Sequence, residues 1–117
     1  MSAQLTKGQS NHTTDDLTTV DLSTAELFDL FGDQYTRRVY EAVAEQPRCG
    51  RAVAEAADVS RPTAYRRLND LRDAGLVRTE RTICMDGHHR EQFEAVATSI
   101  VVSVDQDGLD TPVTVTE

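Results

Sequence analysis

The sequence predicts an α+β chain, mainly helical, in which two short helices joined by a tight turn run into a β-hairpin. Three observations carry that expectation. Ala64, Leu68 and Leu71 recur at four- and three-residue spacing, the period of a helix that buries one stripe. Helix-start signals stand at Ser23, Asp33 and Ser60, the last followed by Pro62 in the first turn, where a missing N–H costs least. Asp86-Gly87 lies between segments of alternating character at 76–85 and 88–96 and reads as a two-residue hairpin turn. That turn sets Ile83 opposite Arg90 and Arg81 opposite Gln92.

The elements follow in chain order. Residues 1–22 are rich in Thr, Ser, Gln and Asp and offer too little apolar surface to offset the entropy of ordering, so a flexible acidic tail is expected. Ser23-Thr24-Ala25-Glu26 is a capping box that opens a short helix to Phe31. Gly32 interrupts it, and Asp33 caps a second helix to about Gln46, with Tyr35, Val39, Ala42 and Val43 on one face and Pro47 as its stop. Residues 49–57 form a two-turn helix rich in small side chains, Asp58-Val59 make the tight connection, and the helix capped by Ser60 runs to Ala74 and ends at Gly75. Leu76 starts the hairpin. Ser99–Val104 and Val113–Val115 are β-branched and read as further strands around a turn at Asp105–Gly108. The chain thus divides into a tail (1–22), a domain over 23–97 and a C-terminal β extension over 98–117.

With 117 residues the chain is one small domain. No apolar run approaches the ~20 residues of a membrane span, and the N-terminus has no apolar signal stretch, so a cytoplasmic protein without membrane contact is expected. Two cysteines are too few for a disulfide-framed module, and the absence of Trp with 5% aromatic residues limits the core, which favours a homodimer. The net charge is −8, and Lys7 is the only lysine. This balance resembles that of proteins working in molar salt. The charges are unevenly spread: residues 48–81 carry eight arginines against five acids, while both flanks are acidic. A basic block in an acidic chain suggests a face for a polyanion.

The order helix, tight turn, capped helix, hairpin is that of a winged helix-turn-helix. The segment Arg51-Ala52-Val53-Ala54-Glu55-Ala56-Ala57-Asp58-Val59-Ser60-Arg61-Pro62-Thr63-Ala64-Tyr65-Arg66-Arg67-Leu68, followed by Leu71 and Ala74-Gly75-Leu76-Val77, resembles the small winged-helix transcription regulators of the ArsR, MarR and PadR kind. Their pattern A-x-x-x-x-V-S-x-x-T-x-x-R-x-L-x-x-L-x-x-x-G-L-V is met from Ala54 onward. The composition is similar to that of haloarchaeal members, among them regulators of the oxidative-stress response. The resemblance implies a DNA-binding regulator with no cofactor and no catalytic residues.

Helical projection agrees. It turns Ala64, Leu68 and Leu71 inward and leaves Pro62, Thr63, Arg66 and Asn69 opposite, with Tyr65 and Arg67 flanking. Side chains at the start of such a helix can reach base edges in a major groove, where Arg66 suits guanine and Thr63 a thymine or a phosphate. Arg61, Tyr65 and, from the preceding helix, Arg51 are candidates for phosphates, and Ser60, Pro62 and Arg67 complete the expected DNA-binding residues of this helix. The wing, residues 76–96, supplies His89 and Arg90 toward the minor groove. The expected partner is double-stranded DNA bearing a pseudo-palindromic operator, with salt ions between two acidic surfaces. The homodimer is expected to meet through Leu27–Phe31 and Ile100–Val104.

Other readings remain open at this level. Cys84, His88 and His89 lie close on the hairpin and could serve a metal sensor, although adjacent strand histidines point to opposite faces. Cys49, near a helix N-terminus beside Arg48 and Arg51, could serve a thiol switch with Cys84; inert small apolar residues are the plainer reading of both. A winged helix used for protein contact is a further alternative. No nucleophile–base pair, phosphate loop or carboxylate dyad appears at motif spacing, which speaks against an enzyme.

Overall fold

The computed structural model describes residues 17–84, Gly87, 89–97, 99–106 and 108–116. Ten elements run in order: β1 (Leu17–Ser23), α1 (Thr24–Phe31), α2 (Gln34–Glu45), β2 (Arg48–Cys49), α3 (Gly50–Ala57), α4 (Arg61–Asp73), β3 (Val77–Ile83), β4 (His89–Ala95), β5 (Ser99–Val101) and β6 (Pro112–Thr116). They form an α+β fold with two antiparallel three-stranded sheets, ordered β1-β6-β5 and β2-β4-β3.

The helix starts are set by side chains that satisfy orphan backbone donors. At α1 the Ser23 hydroxyl accepts the Glu26 N–H at 3.1 Å, while the Glu26 carboxylate accepts the Ser23 N–H at 2.8 Å. The loop before β6 takes up two more donors of that turn: Thr24 N–H reaches Thr111 O at 2.9 Å and Ala25 N–H reaches Leu109 O at 3.0 Å. At α2 the Asp33 carboxylate accepts both the backbone N–H and the hydroxyl of Thr36, each at 3.0 Å. At α4 the Ser60 hydroxyl accepts the Thr63 N–H at 3.2 Å.

Two helix ends are closed by a residue in the left-handed region. After α3, Asp58 (φ 57°) lets Val59 N–H return to Ala54 O at 3.0 Å. After α4, Gly75 (φ 84°) lets Leu76 N–H return to Leu71 O at 2.9 Å. These closures fix where the chain leaves each helix, and so fix how α4 lies on α3 and where the hairpin starts.

One contiguous apolar cluster joins all layers. Val39, Ala42 and Val43 of α2, Val53, Ala54 and Ala57 of α3, and Ala64, Leu68 and Leu71 of α4 meet Leu76, Val77 and Phe93 at the root of the hairpin. Leu27, Val113 and Val115 extend the cluster into the first sheet. An ion pair crosses it at the surface: Arg67 Nε of α4 stands 2.9 Å from the Asp33 carboxylate that caps α2. Its N–H is not aimed along that line, so the contact is charge attraction rather than an aligned hydrogen bond.

Four expectations need correction. Residues 17–22, read as part of a flexible tail, form most of β1, whose Leu17, Thr18, Thr19 and Val20 pair with Thr116, Val115, Thr114 and Val113. Residues 1–16 lie outside the described part. The hairpin register is one residue off the expected one: Ile83 pairs with His89, Thr82 with Arg90 and Arg81 with Glu91. Gly87 explains the slip, since at φ 83° it donates to Cys84 O at 2.8 Å, the pattern of a three-residue hairpin loop closed by a left-handed glycine. Leu27 is a core residue, and Leu30 and Phe31 are partly covered within the chain, leaving Phe28 as the exposed apolar side chain of α1. Strand β5 ends at Val101 rather than at Val104.

Burial pushes the Asp33 carboxyl up, but the Thr36 N–H, the Thr36 hydroxyl and the charges of Arg67 and Arg37 together hold it below its ordinary value of 3.8. A carboxyl lowered by folding contributes stability that is complete above the ordinary value and is lost as the pH falls through the lowered one. Replacing Asp33 by Asn keeps a capping oxygen but removes the charge. Thermal unfolding of D33N should therefore trail wild type at neutral pH, and the gap should close as the pH falls below the ordinary carboxyl value of 3.8. A gap of constant size over that range would show that the charge is not what Asp33 contributes.

Candidate nucleic-acid interface

Helix α4 presents two faces of opposite character. Ala64, Leu68 and Leu71 are fully buried, while Arg61, Pro62, Arg66 and Asn69 are exposed. Neither Arg61 nor Arg66 has an ion-pair partner among the described residues. The first turn of α4 carries no acidic residue, so Arg61 and the positive end of the helix dipole add rather than cancel. Such a surface favours an anion brought from outside.

Thr63 is half-buried, and its hydroxyl oxygen accepts from the Ser60 hydroxyl at 2.9 Å. Ser60 therefore spends its proton and one of its two lone pairs on the cap, and the Thr63 hydroxyl proton stays available to an outside acceptor.

Tyr65 is held by contacts rather than by hydrogen bonds. Its ring stands edge-on to Phe93 with centroids 6.3 Å apart, and it occupies the space above Gly50. A Cβ at Gly50 would lie 2.4 Å from Cε1 and Cζ of the ring, so glycine at the start of α3 is what lets α4 and β4 share this aromatic. Gly50 and Phe93 were not among the expected site residues. A glycine straight after the residue that opens α3 was the visible signal, but its target is 15 residues away in sequence.

Arg51 is exposed at the start of α3, with only a long 3.9 Å pairing to Glu55, an exposed contact of little energetic weight. Arg90 is exposed on β4. Arg51 of α3 and Arg90 of the hairpin both line a groove of about 640 Å³. Cys49 and Cys84 line the same groove and are joined by a disulfide, with Cα atoms 6.2 Å apart.

The structure thus gathers Arg51, Ser60, Arg61, Pro62, Thr63, Tyr65 and Arg66 around the N-terminal ends of α3 and α4, with Arg90 on the neighbouring hairpin. Arg67 does not join them. It is mostly covered and spent on Asp33, with Asp70 3.7 Å away, so it braces α4 against α2. His88 and the side chain of His89 lie outside the described residues. The metal-sensor reading loses Cys84, whose sulfur is bonded to Cys49, and among the described residues no three His, Cys, Asp or Glu side chains group as metal ligands. The expectation of two inert, separate cysteines is likewise overturned.

The family model described as sugar-specific transcriptional regulator TrmB matches residues 33–98, more than half of the chain. The chain belongs to the TrmB family. The matched stretch begins at the Asp33 cap and ends just past β4, so it covers α2, α3, α4 and the hairpin and leaves out β1, α1, β5 and β6. The TrmB domain is a DNA-binding transcription-regulator domain of winged-helix type, which bears out the winged helix-turn-helix reading and names its family. No curated protein matches the chain. Among the described residues no helix is long and apolar enough to cross a membrane.

Gly50→Ala tests the packing that orients Tyr65. The added methyl must push the ring from its place against Phe93, which should cost about 1–3 kcal/mol in urea unfolding. The double variant Gly50→Ala, Tyr65→Ala should recover most of the part of the loss due to the clash. Equal stability of G50A and wild type would mean that the ring moves aside freely.

Proposed function

We propose that this TrmB-family chain is a homodimeric, sequence-specific DNA-binding transcription regulator. Each subunit lays α4 in a major groove and its wing, residues 76–96, along the adjacent minor groove. The observation that carries this reading is the pair of exposed arginines, Arg61 and Arg66, without an ion-pair partner among the described residues, on the solvent face of a helix whose other face is fully buried. In this arrangement Arg66 reads a base edge, Thr63 meets a thymine methyl or a phosphate, and Arg61, Tyr65 and Arg51 hold phosphates. Arg90 and His89 serve the wing contact. Arg67 acts within the fold.

Residues 23–97 form the DNA-binding unit, and the C-terminal extension, 98–117, supplies the dimer contact. Exposed Val101, Val102 and Val104, with Phe28 of α1, support that assignment. Two-fold symmetry then calls for a pseudo-palindromic operator with half-sites about one helical turn apart. The protein works in the cytoplasm, in concentrated salt, with cations held between its acidic surface and the DNA, and it belongs to an oxidative-stress response. The net charge of −8 with a single lysine supports the salt reading.

Selection of random duplexes in high KCl, with wild type and Arg66→Ala side by side, tests the proposal. Wild type should enrich an inverted repeat, and the variant should lose about 1–3 kcal/mol of discrimination at one base position of each half-site. No selectivity in wild type would move the reading to a winged helix that binds protein.

Salt dependence gives a second test. At about 1 M salt the Debye length is near 3 Å and counterion release has little left to drive binding. Affinity for the selected duplex should fall by less than the usual slope of about −0.9 per neutralised phosphate, or rise with KCl. A steep loss would overturn the bound-cation reading.

A further inference from the structure

The chain has two cysteines, and the fold bonds them to each other. Their positions are unequal in sequence and joined in function. Cys49 ends β2 and is the N-cap of α3, the first helix of the helix-turn-helix. Cys84 is the first residue past β3 and accepts the Gly87 N–H that closes the hairpin loop. The bond therefore ties the outer end of the wing to the helix-turn-helix, across strand β4.

The tie demands a bent wing. Cys49 pairs with Gln92, which pairs on its other side with Glu80, four residues before Cys84. A ladder continued flat would leave Cys84 two strands across and four residues along, about 16 Å from Cys49. The Cα atoms are 6.2 Å apart. The outer hairpin thus curls over β4 by about 10 Å relative to a flat ladder, and brings Ile83, Cys84 and Arg90 to the groove beside Arg51. Backbone pairing alone does not require that curl, since β2 contributes only the pairs Arg48–Phe93 and Cys49–Gln92.

Both cysteines are half-buried and border the open groove, so small reagents reach them. In the reduced form a Cys49 thiolate would stand at a helix N-terminus between Arg48 and Arg51 in sequence, an electropositive setting that favours it as the attacking sulfur. Disulfides of cytoplasmic proteins are mostly transient and redox-sensing.

We propose that Cys49 and Cys84 are a two-electron thiol–disulfide switch that sets the position of the wing, and through it the affinity for DNA. The oxidant is a hydroperoxide. The Cys49 thiolate attacks one peroxide oxygen, the O–O bond breaks, and the leaving oxygen departs, protonated, as water or alcohol. The Cys84 sulfur then attacks the Cys49 sulfenic acid, the S–O bond breaks, and the second oxygen leaves as water. The two thiol protons end on these oxygens, and the two sulfurs supply the two electrons that reduce the peroxide. Low-molecular-weight thiols reverse the step by exchange, and are oxidised to their own disulfide. In the oxidised form the outer wing and Arg90 are drawn toward α3. In the reduced form the hairpin extends and carries Arg90 away from Arg51 and the DNA-facing surface, so reduction releases the operator.

The DNA part of this proposal rests on the DNA-regulator reading; the wing movement does not. Two measurements on the full chain separate them. Amide hydrogen exchange over residues 77–95, without DNA, should be faster in reduced than in hydrogen-peroxide-treated wild type, and equal in the two treatments for Cys84→Ser. Mass spectrometry should show the loss of two hydrogens on oxidation of wild type alone. Affinity for the selected duplex should fall about tenfold on reduction of wild type and be the same in both redox treatments of Cys49→Ser and Cys84→Ser. Serine caps a helix well, so the first variant keeps α3. Formation of sulfinic acid in place of the disulfide, or identical exchange in both redox forms, would overturn the switch. Altered exchange with equal affinity would overturn its link to DNA. Altered exchange in a protein that selects no duplex would leave the wing switch standing and remove the DNA-regulator reading.

Discussion

The placement of α4 depends on one narrow stripe. Ala64, Leu68 and Leu71 have no solvent exposure, and each is closed in by residues from α2, α3 or the hairpin root. Burying Leu68 and Leu71 contributes roughly 1.5–3 kcal/mol each, the largest share a helix of this polarity can draw from water. Because that stripe is only three side chains wide, the helix has no second way to lie down. Its rotation is fixed, and with it the outward direction of Arg61, Pro62, Arg66 and Asn69. The partner surface must be shallow for this to work. Helix α3 meets it with Val53, Ala54 and Ala57, side chains small enough to let the two helices approach closely.

Rotation alone does not place a helix; its ends must be held too. The Ser60 cap and Pro62 define the start of α4, and the left-handed Gly75 defines its end, from which Leu76 enters the core immediately. The Arg67–Asp33 pair then joins the side of α4 to the start of α2. Asp33 serves two helices at once, as the cap of one and the counter-charge of the other. Tyr65 completes the frame by filling the space that Gly50 leaves open beside Phe93, so the central strand β4, α3 and α4 meet at one aromatic contact.

These dependencies explain what the sequence revealed and what it hid. The capping residues Ser23, Asp33 and Ser60 act within four residues of themselves, and the stripe on α4 repeats with the helix period, so both were legible in order along the chain. The hairpin was legible as a hairpin, but its register turned on whether Gly87 closes a two- or a three-residue loop, a choice Asp86-Gly87 does not settle. Strand β1 is rich in threonine and gains order only from pairing with β6, almost a hundred residues later. Arg67 and Arg66 are neighbours with the same chemistry, and only the position of Asp33 in space assigns the first to the fold. The cysteine pair stood only as an alternative to two inert residues for the same reason: its partners are separated by 35 residues and meet only once the wing has curled.

The electrostatics sharpen in the same way between sequence and fold. The eight arginines of residues 48–81 look like one basic block. In the structure Arg48 pairs with Glu45, Arg51 with Glu55, Arg67 with Asp33, Arg72 with Glu91 and Arg78 with Glu94, so most of that charge is answered locally. Arg61, Arg66 and Arg81 have no ion-pair partner among the described residues. Two of these three stand in the N-terminal half of α4, and Arg61, in a first turn without acids, adds its charge to the positive end of the helix dipole. An acidic protein has carboxylates to spare for such positions, and pairing them would stabilise the free chain. Leaving Arg61 and Arg66 without an ion-pair partner among the described residues keeps the local field directed outward.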